Sequence, residues 1–485
     1  MHIDTPPAAS AMPVACPAAV GLHCEAPPLA HGFDALDPLI RAHPWPYYDW
    51  LRELPERRVY KLPQESNFYV VHRYEDICTV MSDPDTYSSQ VFHDREIPFF
   101  PMMKGAQHRR IRDALQGLFS AKSTATLTPL IEKAVERRTT ELLRQHQPVE
   151  LMADWATQIP LEVIASLFGH PVDDVSLRRL HDQAVALNTE AFPVGGTGER
   201  LVQSTSLLHK LNVAFEMTRA LPALLGLVKQ LGRGGVLELN RYLGGATPPE
   251  GAPRQARQDA GTGRRKRQVV ELIHHLALLF QRGLEQPDGA SVVSSLLAAH
   301  RAGQLSFIEM MMAALIVVLA GYGTTSNLLA CGVWRFAWQP GLLQKLRDNP
   351  DLMEPYVEEL LRCYGPLQRT ARRVTRPVQL GEKKLPENAQ LILLLGAANT
   401  DPLRFKNPLQ FDFENADQAS HVAFGRGIHT CLGSALARLQ ARLALSHFVQ
   451  QVEQTHTVPG GTRFIVNRDT GMYGFEQLHL RLQAR

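Results

Sequence analysis

The chain has 485 residues, of which 45% are hydrophobic and 20% charged; that is globular composition and excludes collagen-like, coiled-coil and fully disordered chains. Lys and Arg number 51 against 48 Asp and Glu, a net charge of +3, which is too small for a general nucleic-acid binder. Six cysteines without a C-x-x-C pair give neither a disulfide framework nor a zinc ribbon, and they point to a reducing cytoplasm.

Residues 1–32 form an Ala/Pro-rich stretch that lacks the basic start and unbroken apolar run of a signal peptide, so a flexible leader is expected. Residues 33–485 are expected to form one domain. A short helix is predicted near Tyr47–Glu53 and a strand over Asn67–His72. Residues 91–104 have no period and read as an apolar loop. Helical patterning runs from Gln107 to about Gln145, through most of 150–230, and over 268–364. An atypical insert at 231–267 interrupts it. Its part from 244 on is rich in Gly, Pro and charge, which predicts a surface loop. The R-R-K-R run at its end reads as a solvated loop end next to a helix. Met310–Cys331 is long enough to span a membrane. However, Gly321, Gly323, Thr324, Thr325, Ser326 and Asn327 crowd its second half, which predicts a buried core helix and no transmembrane segment. Residues 366–413 look extended, with strands at Val378–Leu380 and Gln390–Leu394. A last long helix covers about Leu432–Gln451, and a β-rich tail follows. The fold class expected is mainly α with small β-sheets (α+β).

The chemistry concentrates in Phe424–Arg438, F-G-R-G-I-H-T-C-L-G-S-A-L-A-R. Gly425 and Gly427 permit tight turns and close approach of the backbone to a flat partner. Cys431 stands just before a helix, where free backbone N–H groups and the helix dipole favour a thiolate. Gly433 is expected to allow close packing in the first turn. Such a cradle suits a thiolate that ligates haem iron. This segment resembles the haem-binding loop of the cytochrome P-450 superfamily, F-G-x-G-x-H-x-C-x-G. The likeness extends from about Phe33 to the C-terminus and is nearest to soluble bacterial members.

Three further stretches support the resemblance. Glu359 and Arg362, an E-x-x-R, lie at i and i+3 on one helix face and match the family's buried structural pair. His108 and Arg112, at i and i+4, are two cationic donors that could clamp haem carboxylates; Arg372 is similar to a third propionate-binding position. Ala320-Gly-Tyr-Gly-Thr-Thr325 looks like the oxygen-binding helix motif. There, Ala320 and Gly321 leave room for dioxygen and substrate, and Thr324 can donate a hydrogen bond to bound oxygen. Gly323 stands where the family has Asp or Glu, which removes the expected proton relay.

The resemblance implies a P-450-like fold with haem b between a long central helix and the Cys431 loop. Phe424, Gly425, His429 and Gly433 would contact the cofactor, and Cys431 would ligate its iron. The activity implied is a monooxygenase that inserts one atom of dioxygen into a hydrophobic small molecule, as a tailoring step in secondary metabolism. Electrons would come from NAD(P)H through a separate ferredoxin and ferredoxin reductase, docked by Arg426, Arg438 and Arg442. Substrate would be met by loop 89–103, the helices around 180–240, the 315–325 helix, and residues 366–372 and 469–475. Two alternatives remain open at this stage. Gly323 could mark an enzyme that uses peroxide, or that isomerises or reduces its substrate; or the chain could be a non-catalytic haem carrier or sensor.

Overall fold

The computed structural model describes residues 40, 42–54, 58–63, 67–91, 100–169, 260–285, 291–339, 341–414, 420–465 and 471–485, with backbone alone over 260–271. The leader, the helices expected around 180–230 and residues 231–259 of the insert lie outside them. The helices that frame the site are α1 (Trp45–Glu53), α2 (Tyr74–Ser82), α3 (Gly105–Gln116), α4 (Thr128–Arg144), α5 (Gln158–Leu167), α6 (Ala260–Glu285), α7 (Phe307–Gly321), α8 (Gly323–Trp338), α9 (Met353–Tyr364) and α10 (Ser434–Gln451).

Three small sheets accompany them. The strands are β1 (Val59–Lys61), β2 (Phe68–Val71), β3 (Tyr87–Ser88), β4 (Val149–Glu150), β5 (Arg369–Val374), β6 (Val378–Leu380), β7 (Lys383–Leu385), β8 (Gln390–Leu394), β9 (Val452–Phe464) and β10 (Phe475–Ala484). The largest sheet has the order β1-β2-β8-β5-β3, and β4-β10-β9 and β6-β7 form the others. In the first, β2 runs parallel to β8 with Phe68 opposite Gln390, and β5 is antiparallel to β8 with Arg372 opposite Leu391.

The strands expected at Val378–Leu380 and Gln390–Leu394 are β6 and β8. Strand β5 was not expected. Its sequence, R-T-A-R-R-V, carries three arginines, yet Arg369 and Arg372 are buried. The helical patterning over Gln107–Gln145 is found as three helices, α3, Ala121–Ala125 and α4, where Ser120 caps a new start by accepting from the Ser123 N–H at 3.2 Å. One expectation is corrected. The R-R-K-R run, Arg264–Arg267, is not a loop end but lies inside α6.

Helix α7 is apolar nearly all round, as a helix enclosed by core must be. A capping box starts it: Glu309 N–H donates to Ser306 Oγ at 3.1 Å, and Ser306 N–H donates to Glu309 Oε2 at 2.8 Å. Arg110 of α3 donates to Glu309 Oε1 at 3.0 Å and so docks α3 against that start. The membrane-length apolar stretch is Phe307–Trp338, and more than half of its most apolar 18-residue window is buried. It is not one helix: Tyr322, at φ −107° and ψ −50°, separates α7 from α8.

Glu359 and Arg362 of α9 are fully buried and pair through two 2.7 Å bonds. The guanidinium also donates to the carbonyls of Asn399 at 2.9 Å, Pro408 at 2.7 Å and Gln410 at 3.1 Å. Glu359 Oε1 accepts the Asp412 N–H at 2.8 Å. The pair therefore satisfies its own charges and fixes the chain between 399 and 412, a folding role.

Candidate active site

A cavity of about 350 Å³ lies between α7–α8 and the segment that leads into α10. The Cys-bearing segment closes on itself. Cys431 N–H donates to the Phe424 carbonyl at 2.8 Å, and Thr430 N–H donates to that of Gly427 at 3.1 Å. Gly425 and Gly427 take φ of +70° and +72°. The close approach at Gly427 is to protein, since a Cβ there would sit 2.5 Å from the Met81 carbonyl oxygen at the end of α2. Phe424 is covered by Arg438, whose guanidinium carbon lies 4.5 Å from the ring centroid.

Cys431 is exposed, and what it faces is the cavity it lines. Burial pushes its thiol up, while the Gly433 N–H and the Arg112 and Arg438 charges pull it down. The close packing expected at Gly433 is not found: a Cβ there would meet no protein atom within 4 Å. Gly433 instead borders the cavity.

The basic and imidazole groups gather at one edge. Arg112 lines the cavity and donates to the Thr430 carbonyl at 3.0 Å. Arg372 lines it from β5, and burial lowers its pKa to about 10. His429 lines it too, 2.8 Å from Ser89 Oγ. His108 is one ring further back, with its centroid 4.7 Å from Phe100 and 4.5 Å from His429. In the protein alone, burial, then Arg112 and Arg109, lower its pKa to about 4. Its buried Nε2 has no hydrogen-bond partner among the described residues.

On the helical side, Ala320, Gly321, Thr324 and Thr325 line the cavity. A Cβ at Gly321 would overlap Ile164 of α5, so packing against α5 also requires this glycine. Thr324 Oγ donates to the Ala320 carbonyl at 3.0 Å. Its proton is thereby engaged, and the hydroxyl presents acceptor lone pairs instead of the free donor expected. Gly323 is not part of the lining; a Cβ there would lie 3.7 Å from Met472 Cε.

The remaining lining is mostly apolar, with Met81, Phe100, Leu115, Phe119, Ile316 and Leu367 as examples, and Thr370 and Gln440 as polar members. Of the substrate segments expected, 315–325 and 366–372 contribute, and loop 89–103 contributes Phe100 and Pro101. Residues 92–99, 466–470 and the helices around 180–240 lie outside the described residues. Several lining residues were missed that periodicity carries. Leu115 and Phe119 continue the turns from Arg112, Leu436 and Gln440 those from Gly433, and Thr370 shares a strand face with Arg372. Met81 and Ile164 have no such signal. The docking cations expected also change: Arg438 is held by Glu358 at 2.6 and 2.9 Å, while Arg426 and Arg442 are exposed.

The family profile described as Cytochrome P450 matches residues 264–460. The chain is 25% identical over 444 residues to a Mycobacterium tuberculosis protein named beta-dihydromenaquinone-9 omega-hydroxylase, covering 90% of this chain and 76% of that one. It is 27% identical over 425 residues to a Bacillus subtilis biotin biosynthesis cytochrome P450, covering 84% and 89%. Among solved structures, CYP109E1 of Bacillus megaterium in complex with testosterone superposes with a TM-score of 0.70 at 20% identity, over 92% of this chain and 99% of that one.

Proposed function

Because the chain belongs to the cytochrome P450 superfamily and is a monooxygenase of bacterial type, we propose that Cys431 ligates its haem iron and that its substrate is an apolar small molecule. The observation that carries this is the cavity face of Cys431, shared with Arg112, Arg372, His429 and Thr324. The residues fit haem b. A sulfur donor faces the cavity, the Gly433 side of the wall is open, and His108 Nε2 is an orphaned buried polar atom nearby. When bound, haem supplies the iron at which dioxygen is activated and one oxygen atom is delivered to a C–H or C=C bond.

The chain's own residues have separable tasks. The Gly433 N–H and the Arg112 and Arg438 charges oppose the rise that burial imposes on the Cys431 thiol. Arg112, Arg372 and His429 bind the carboxylate edge of the cofactor by charge-assisted bonds, with His108 in support. Thr324 orients a hydrogen-bonded water or hydroxyl from the helix side. The apolar lining excludes water and binds substrate through buried area, with few polar anchors. The Mycobacterium relative's name, with its menaquinone, and the testosterone of the structural neighbour support an apolar substrate.

Electrons come from NAD(P)H through a separate ferredoxin and reductase, with exposed Arg426 and Arg442 offered to the acidic carrier. A cytoplasmic setting is supported by four free thiols among the described residues, Cys78, Cys331, Cys363 and Cys431. The test is the absorption spectrum of the reduced protein under carbon monoxide. A strongly red-shifted Soret band is expected for the wild type and its loss for Cys431→Ser; a band unchanged by the substitution overturns the assignment. The absence of an acid at Gly323 favours a second reading, in which peroxide replaces dioxygen and electrons. Product from peroxide alone, with none from NAD(P)H and redox partners, selects it.

A further inference from the structure

Gln368 stands between α9 and β5, and all four of its polar groups are engaged. Its N–H donates to the Gly471 carbonyl at 3.0 Å, and its carbonyl accepts the Gly396 N–H at 3.2 Å. Its side-chain Nε2 donates to the Gly365 carbonyl at 2.7 Å, and its Oε1 accepts the Tyr48 hydroxyl of α1 at 2.9 Å. Four separate parts of the chain therefore meet at one residue. A tight fit accompanies the bonds. A Cβ at Gly396, in the short helix Leu395–Asn399, would overlap Gln368 Oε1 and lie 2.9 Å from the Tyr48 hydroxyl oxygen. Tyr48 is buried, and burial pushes its hydroxyl well above the usual range, so it stays a donor.

Gln368 is not among the residues that line the cavity, but those around it are. Pro366 and Leu367 precede it, Thr370 follows it, and Leu395 adjoins Gly396. The same stretch is tied to the C-terminal side, where Tyr473 N–H donates to the Pro366 carbonyl at 2.7 Å and Leu367 bridges Met472.

Resting on the monooxygenase reading above, we infer that Gln368, keyed by Tyr48, is a positioning residue for the substrate: it sets where Leu367, Thr370 and Leu395 stand in the cavity wall, and so how an apolar substrate is oriented. Three points carry the inference. A mostly apolar wall with few polar anchors holds a ligand by shape, so the ligand's orientation depends on where the wall residues are fixed. The link from Gly365 to Gln368 belongs to no helix or strand, so these bonds, and not a ladder, decide its place. Finally, the glutamine amide carries an acceptor and a donor side by side. One uncharged side chain thus meets a hydroxyl and a carbonyl together, without the desolvation cost of a buried ion. The first described helix of the chain thereby shapes a cavity that it does not line.

The test titrates two iron ligands, imidazole and 4-phenylimidazole, into the haem-loaded protein and reads the Soret shift. Imidazole needs only the iron, whereas the phenyl ring must also fit the wall. The variants are Tyr48→Phe, Gln368→Leu, Gln368→Glu and Gly396→Ala. Gln368→Glu keeps an acceptor for Tyr48 but cannot donate to Gly365 as a carboxylate, and Gly396→Ala crowds Oε1. Every variant is expected to bind imidazole within about 2-fold of wild type, since the iron is untouched. The Kd for 4-phenylimidazole should rise about 10-fold in both Gln368 variants and in Gly396→Ala, the effect of one net hydrogen bond. Tyr48→Phe, which loses a single hydroxyl, should raise it about 3-fold. The double variant Tyr48→Phe/Gln368→Leu should be no worse than Gln368→Leu alone. Amide hydrogen exchange gives a readout independent of the iron: protection at Gly396 and Tyr473 should fall in Gln368→Leu. A purely structural role would move the unfolding midpoint and the haem content while the ratio of the two Kd values stayed at its wild-type value, and that result overturns the inference alone. A wild type in which imidazole produces no Soret shift overturns the haem reading beneath it, and this inference with it. If the Gln368 variants fail to load haem, Tyr48→Phe carries the same comparison.

Discussion

Ile164 of α5 fills the space that a side chain at Gly321 of α7 would need. Both residues line the same cavity, so the wall beside the broken turn is built by interlocking a glycine with a branched neighbour. Gly321→Ala is expected to destabilise the fold by about 1–3 kcal/mol through overpacking. The double variant Gly321→Ala/Ile164→Val should recover much of that loss. Chemical unfolding of the single and double variants checks it; additive losses would show that the two side chains do not share one space.

The two glycines that flank Cys431 should behave oppositely. At Gly427, positive φ and the Met81 carbonyl both oppose a side chain, so Gly427→Ala is expected to lower stability by about 2 kcal/mol or more. At Gly433 a Cβ meets no protein. Gly433→Ala should therefore unfold at the same denaturant concentration as wild-type apoprotein while retaining less haem. Haem content per chain, read beside apoprotein stability, separates the two effects.

Breaking the Glu359–Arg362 pair should damage folding rather than chemistry. Removal of one partner leaves a buried charge alone, and Arg362→Ala also frees three loop carbonyls; a loss of about 3–5 kcal/mol follows. The expected result is little folded protein. Glu359→Gln, which keeps the shape but not the charge, should give a smaller loss. A soluble Arg362→Ala protein of wild-type stability would contradict this account.

His72 makes the fold sensitive to acid. It is fully buried, neither ring nitrogen has a hydrogen-bond partner among the described residues, and burial, then Arg73 and Arg52, lower its pKa from 6.5 to about 3. Between those values the unfolded chain binds a proton that the native chain refuses. This contribution is complete above pH 6.5 and is lost as pH falls toward 3. Stability measured from pH 7 to pH 4 should fall less steeply in His72→Leu than in wild type. Parallel slopes would exclude the histidine as a source.

What the sequence determined alone is whatever sits within a few residues along one element. The turn before Cys431 follows from glycines that take positive φ, the cap of α7 from Ser306 and Glu309 three apart, and the Glu359–Arg362 pair from helical spacing. The haem-type loop was legible because its residues are contiguous. The cavity side of α3 beyond Arg112 is equally legible by period. The tertiary structure decided contacts between segments far apart in the chain. Ile164 against Gly321, Ser89 beside His429, Glu358 clasping Arg438 and Phe475 bonded to Asn327 each join residues at least 80 apart. The lowered pKa of His108 belongs with them in its largest part, because desolvation is set by what packs around the ring. Periodicity reports which face of an element is buried, but only packing reports what that face meets.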